Sequence, residues 1–125
     1  MTDVEYLDIE DAMAMIRALG VGPVRDIGLL DSALNRPRSS AFGEDAYATL
    51  TVKAAALIHS VTNNHALLDG NKRLGWLCTV VFGDLNGFTT DLSDDQAFQL
   101  VWDVASSSID VPSITGRLPL VPNQT

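Results

Sequence analysis

The sequence predicts an all-α protein, a compact single-domain bundle of about five to six helices, and three observations carry that prediction. Apolar residues recur three and four positions apart in several separate stretches, the spacing that lines one face of a helix. Acidic or hydroxyl residues open some of these stretches, and Gly, Asn or Pro close them. With 125 residues, 46% of them hydrophobic, the chain is long enough for one domain with a core and too short for two. The domain is placed at 1–125 with its core at about 5–118, and the tail 119–125, which holds Pro119 and Pro122, is expected to be loop-like.

Residues 8–19, DIEDAMAMIRAL, open on an acidic turn, set Ile9, Ala12, Met13, Ile16 and Leu19 on one stripe, and close at Gly20. GVGPVRD reads as a turn, and RDIGLLDSALNRP as a shorter helix that must end before Pro37. A polar loop, PRSSAFGED, follows. The stretch from Ala46 to Asn63 holds no Gly or Pro and repeats Leu50, Ala54, Leu57, Ile58 and Val61, as a central helix does. Asn63 and Asn64 terminate it, so His65 begins a connection, and helix resumes near Gly70 or Asn71.

NKRLGWLCTVVFGDLNG is apolar on nearly every side after Arg73, the pattern of a helix buried inside a small bundle. Its interior Gly75 and Gly83 count against helix; the apolar run to Leu85 is too long for a strand. NGF at 86–88 is a turn that can carry a very short hairpin, and SDDQAFQLVWDVASS supplies a serine cap, an acidic first turn and another amphipathic helix.

Sixteen Asp and Glu against eight Lys and Arg leave a net charge of −8, which repels a polyphosphate chain, so direct DNA binding is not expected. The single cysteine, Cys78, sits among apolar neighbours and reads as a small buried hydrophobe rather than a nucleophile. The opening MTDVEYLDIED lacks a basic region followed by an apolar one, and no run of ~18 apolar residues occurs, so a cytoplasmic protein without a membrane span is expected.

The chemistry concentrates in HALLDGNKR, residues 65–73. A glycine at a loop-to-helix junction allows close backbone approach to a ligand, and the free N–H groups of the following turn attract anions, phosphate above all. Lys72 and Arg73 stand in that turn, where the helix dipole disfavours cations by up to ~1 kcal/mol, so a negative partner is expected. Asp69 can supply it, or hold Mg²⁺ beside phosphate oxygens. Asn71 can orient the loop or donate to a phosphate, and the imidazole of His65 can accept a proton from a nearby hydroxyl at neutral pH. Each residue also has a plain structural reading: His65 as a surface or capping residue, Asp69-Gly70 as a turn, Asn71 as a helix cap, Lys72 and Arg73 as a solvated face. Turn chemistry accounts for Asp-Gly-Asn, but not for the flanking His, Lys and Arg. His59, within the central helix, reads as structural.

HALLDGNKR resembles the signature of the Fic/Doc superfamily, H-x-F-x-(D/E)-(G/A)-N-(G/K)-R, at His65, Asp69, Gly70, Asn71, Lys72 and Arg73. Lys72 is typical of the Doc (death-on-curing) branch, where adenylylating Fic proteins commonly carry glycine. RDIGLLDSALNRP, KAAALIH and the NGF turn also resemble that branch, extending the similarity over about 5–118. The third motif position, usually Phe, is Leu67; it is expected to point into the core and anchor the loop, with some loss of rigidity.

The resemblance implies a Fic/Doc-like fold and the toxin of a type II toxin–antitoxin pair: a phosphotransferase moving the γ-phosphate of ATP, with Mg²⁺, to a threonine of a translation factor such as elongation factor Tu. Its catalytic residues would be His65 as general base, Asp69 on Mg²⁺ or orienting the histidine, and Lys72 and Arg73 neutralising phosphate charge. Gly70, Asn71, Lys72 and Arg73 would hold the phosphates. A lysine at 72 fills what glycine leaves as an open backbone anion hole, favouring another placement of the triphosphate. The alternatives are AMP transfer of the Fic type and a non-catalytic module that binds nucleotide or antitoxin. No convincing copy of the inhibitory (S/T)-x-x-x-(A/G)-x-x-(G/N) helix of Fic proteins is present, which implies control in trans by a Phd-like antitoxin docking in an apolar groove. Met13 and Met15 suit such a surface and suit core packing equally.

Overall fold

The computed structural model describes residues 3–106 and 108–123. Ser107, at the end of the expected SDDQAFQLVWDVASS helix, lies outside them, as do the last two residues of the expected tail and Met1 and Thr2 of the opening segment. Six helices run in the order α1 (Ile9–Leu19), α2 (Ile27–Asn35), α3 (Leu50–Asn63), α4 (Asn71–Leu85), α5 (Asp94–Ala105) and α6 (Val111–Arg117). Two short antiparallel pairs accompany them: β1 (Ser40–Ala41) with β2 (Glu44–Asp45), and β3 (Phe88–Thr90) with β4 (Leu120–Pro122). The predicted all-α class is observed. Among the described residues no helix is long and apolar enough to cross a membrane.

Local chemistry sets the helix starts. Asp8 and Asp11 exchange backbone-to-carboxylate bonds of 2.8 and 3.0 Å as a capping box for α1, and Ser93 and Gln96 do the same for α5. Asp26, Thr49 and Asp110 cap α2, α3 and α6 with their side chains. Thr49 is the reason α3 begins at Leu50 and not at Ala46 as the unbroken composition suggested. α6, seven residues with a proline in its first turn, is the helix that periodicity did not single out.

α3 is the hub: it packs against α2, α4, α5 and α6, and Ala54, Ala55, Ala56, Leu57 and Ile58 are all buried. On α4, Gly75 lies against α3, where an added Cβ would overlap the Thr62 hydroxyl. Gly83 similarly faces the Phe88 carbonyl, 3.2 Å from where a Cβ would stand. The two glycines that weakened the helix prediction are therefore required by packing, which here overrides a propensity cost of ~1 kcal/mol each. Met15 belongs to the core and Met13 packs against it, so core packing is the observed role of both. Cys78 is fully buried; burial, with the Asp11 charge, pushes its thiol up to about 12, so no thiolate forms near neutrality.

Three expectations are corrected. The tail is not loop-like throughout: Leu120–Pro122 forms β4 and satisfies the backbone of β3 across a gap of about thirty residues, which no local turn signal could reveal. The very short hairpin expected at NGF is therefore not formed: the strand after this turn pairs with the tail instead. The polar loop expected at Pro37–Asp45 also carries regular structure, the short β1–β2 pair. Lys53, buried in α3, donates to the Tyr47 carbonyl at 2.6 Å and to Asp45 at 3.1 Å, and its desolvated ammonium is thereby satisfied.

His59 sits on the α3 face toward α6, with Nδ1 2.8 Å from Arg36 Nη1. Partial burial, then the Arg36 charge, hold its pKa below 6.5, against a smaller upward pull from Asp110. The unfolded chain therefore takes up this proton first, so stability is lost as pH falls from about 6.5 toward the folded-state value. Asp103 and Asp110, bonded to Arg117 and Ser113, are held below 3.8 and remove stability in the same direction at lower pH. A thermal-unfolding series across pH should show two descending limbs, and His59→Gln should flatten the first; a limb unchanged by that substitution would refute its origin in His59.

Candidate active site at the N-terminus of helix α4

α3 ends at Asn63, and the chain turns out through Asn64 and His65 before α4 begins at Asn71. His65 has φ +54°, a left-handed conformation uncommon for a side-chain-bearing residue, and its imidazole is exposed. Ala66 and Leu67 then dip into the core, each 2% exposed, and Leu68 and Asp69 return to the surface. Leu67 thus points inward as expected for the motif's third position.

Polar contacts hold the loop at Leu67. Asn71 Oδ1 accepts from the Leu67 N–H at 3.0 Å and Asn71 Nδ2 donates to the Leu67 carbonyl at 2.9 Å, closing the loop onto the first turn of α4. Of the roles open to Asn71 from sequence, loop orientation is observed, with one amide hydrogen left over; the helix-cap reading is not, because Gly70 occupies that position.

Gly70 begins α4 at φ +97° with no side-chain cap, whereas each of the other five helices has one. Its α-carbon lies flat against Val21, so that any Cβ would overlap that side chain. The N–H groups of the first turn of a fifteen-residue helix are thus open toward a cleft of about 450 Å³ lined by Thr62, His65, Leu68, Asp69, Gly70, Asn71, Lys72, Arg73 and Ala105. All six candidate residues from the sequence meet in this one cleft.

The two cations have soft partners. Arg73 Nη2 lies 3.4 Å from Asp69 Oδ2, with both side chains more than half exposed, a pair worth no more than ~1 kcal/mol. Lys72 Nζ stands 5.2 Å from the centre of the Trp102 ring. Neither is locked by a buried carboxylate, so both remain free to meet an incoming anion. Asp69, 81% exposed, is one carboxylate beside an anion site, and among the described residues no group of three acidic, His or Cys side chains could hold a metal alone. That donor set fits a Mg²⁺ carried in on phosphate oxygens.

Sequence reasoning missed several contributors. Thr62 lines the cleft floor, and its buried hydroxyl, wedged against Gly75, has no hydrogen-bond partner. The segment Val21–Asp26 backs the loop: Gly22 N–H donates to the Asp69 carbonyl, Leu68 N–H to the Pro23 carbonyl, and Arg25 and Asp26 N–H to the Ala66 carbonyl, at 2.7–3.1 Å. The only sequence signal for this was a glycine-rich turn followed by Arg25.

Beside the cleft runs an apolar groove of about 460 Å³ between α4 and α5, walled by Leu19, Trp76, Leu77, Phe98, Val101 and Trp102. Phe98 and Trp102 are 68% and 52% exposed and stack on one another at 6.2 Å. Lys72 and Arg73 line both groove and cleft.

The chain matches the Fic/DOC family model over residues 3–83, a span that includes the whole loop and most of α4. This chain belongs to the Fic/DOC family. Within it, the chain is similar to a Mycolicibacterium smegmatis protein named Toxin Doc, with 44% identity over 118 residues covering 91% of each chain. The family fold accordingly extends beyond the matched model, and the Doc branch is the one that Lys72 pointed to.

Proposed function

We propose that this protein is a toxin that transfers the γ-phosphate of ATP to a hydroxyl, expected to be a threonine, of a translation factor such as elongation factor Tu, in the cytoplasm. The observation that carries the reading is the cleft itself: an uncapped helix N-terminus with Gly70 at its mouth, two loosely held cations, a carboxylate and an exposed imidazole. The likeness to a protein named Toxin Doc supports the toxin role. His65 would accept the proton of the attacking hydroxyl as its oxygen bonds to phosphorus and ADP departs. The α4 N–H groups, Lys72 and Arg73 would stabilise charge on the transferring phosphoryl group, and Asp69 would engage the Mg²⁺ that accompanies ATP.

Incubating a translation extract or purified elongation factor Tu with this protein, ATP and Mg²⁺ tests the reading by intact mass. A gain of about 80 Da on a target supports phosphoryl transfer; about 329 Da would instead assign AMP transfer, because the α-phosphorus is then attacked. No mass change on any component would leave a binding module.

The partner that restrains it is proposed to be a Phd-like antitoxin whose disordered segment folds into the α4–α5 groove. An apolar helix seated on Phe98 and Trp102 would lie against Lys72 and Arg73, so docking and closure of the cleft would be one event. Phe98→Ser should weaken antitoxin binding about tenfold or more, as loss of an aromatic anchor does, while leaving transfer by the free protein unchanged. Unaltered affinity in a titration would place the antitoxin elsewhere.

A further inference from the structure

We infer that Arg25 is a positioning residue for His65, acting through the His65 carbonyl; the inference rests on reading His65 as the general base. Arg25 Nε and Nη2 both donate to that carbonyl, at 3.0 and 2.7 Å, across forty positions of sequence. The carbonyl belongs to a residue at φ +54°, a conformation that needs external support to persist.

Support on either side of it comes from the same segment. Arg25 and Asp26 N–H hold the Ala66 carbonyl, Val24 bridges Leu67, and Pro23 and Gly22 reach Leu68 and Asp69. These bonds are main chain to main chain and survive substitution of the arginine side chain. The guanidinium is the one side chain of the segment bonded to the loop, and its bonds end at the residue carrying the imidazole.

A guanidinium suits this task better than an ammonium, because its planar fork presents two parallel N–H groups and fixes direction as well as distance. Without it the His65 peptide is free to rotate toward water, and the imidazole moves with it. A misplacement near 1 Å is enough to cost about 10²-fold in rate. Arg25 is exposed, so its loss opens no cavity in the core, and the effect is on geometry and not on folding.

The test compares wild type, Arg25→Ala and Arg25→Lys by NMR and by phosphoryl transfer from MgATP to elongation factor Tu. In Arg25→Ala the His65 ring resonance and the amides of residues 65–68 should shift, with the ring of His59, the chain's other histidine, unmoved; Arg25→Lys should fall between. The kcat should drop about 10- to 100-fold with KM for ATP nearly constant, and added guanidinium ion, but not NaCl, should restore part of it. His65 resonances superimposable on wild type, or a kcat within about twofold of wild type, overturn the inference. So does a kcat loss that guanidinium does not relieve and that Arg25→Lys shares in full. If wild type transfers nothing, the functional reading fails, and the NMR comparison alone decides whether Arg25 positions His65.

Discussion

His65→Ala should lower the kcat for phosphoryl transfer by ~10²–10⁴-fold, the usual contribution of a positioned general base. The side chain is exposed and outside any helix, so its removal leaves neither a cavity nor an unsatisfied partner, and the melting temperature should hardly move. That separation makes the result diagnostic: activity falls while the fold stays. Lys72 and Arg73 remain in the variant, and MgATP affinity should be close to that of wild type. Near-native transfer by purified His65→Ala would remove the histidine from the chemistry and leave the open turn of α4 as a binding site only.

The second large effect is on stability. Gly70→Ala introduces a Cβ that overlaps Val21 and requires an L-residue at φ +97°. Backbone strain of ~1–3 kcal/mol adds to an overpacking penalty of similar size, so a loss of about 2–5 kcal/mol is expected from denaturant unfolding. Against a total of ~5–15 kcal/mol for a domain of this kind, that is a large fraction. The double variant Val21→Gly/Gly70→Ala, which removes the Val21 Cβ as well as its methyls, should relieve the overlap but not the strain. A single variant as stable as wild type would mean that the segment at Val21 yields freely, and that Gly70 is not held there by packing. Because the first turn of α4 hangs from Gly70, activity should fall with stability, unlike in His65→Ala.

Much of this architecture is legible in the sequence because its causes are local. The capping boxes of α1 and α5, the Gly20 stop and the apolar stripes of α3 and α4 are each written within a few residues. The motif is legible for the same reason: His65 to Arg73 lie within nine positions, and one loop and one helical turn bring them into one cleft. Asn71 marks where this ends. Several roles were open to it in sequence, and the positions of the Leu67 N–H and carbonyl show that it closes the loop.

Gly75 and Gly83 show propensity pointing the wrong way, because the closeness of α3 and of the Phe88 strand is a property of the packed bundle. Met15 is a similar case, apolar and adaptable by composition but core by placement. β4 depends on a partner strand about thirty residues away along the chain, where a hydrogen-bonding group has no sequence signature of its mate.

The sequence by itself thus determined the helical class, most of the helix boundaries, the glycine at the head of α4 and the set of charged groups that can meet phosphate. Periodicity, capping and the free N–H groups of a helix start are short-range physics, and a stretch of ten residues contains all of it. Tertiary structure alone decided that Arg25 holds the His65 carbonyl, that Val21 forbids a side chain at position 70, and that an apolar groove opens beside the same two cations. Those contacts join residues tens of positions apart, and a hydrogen bond or a van der Waals overlap acts only at a distance that folding must first create.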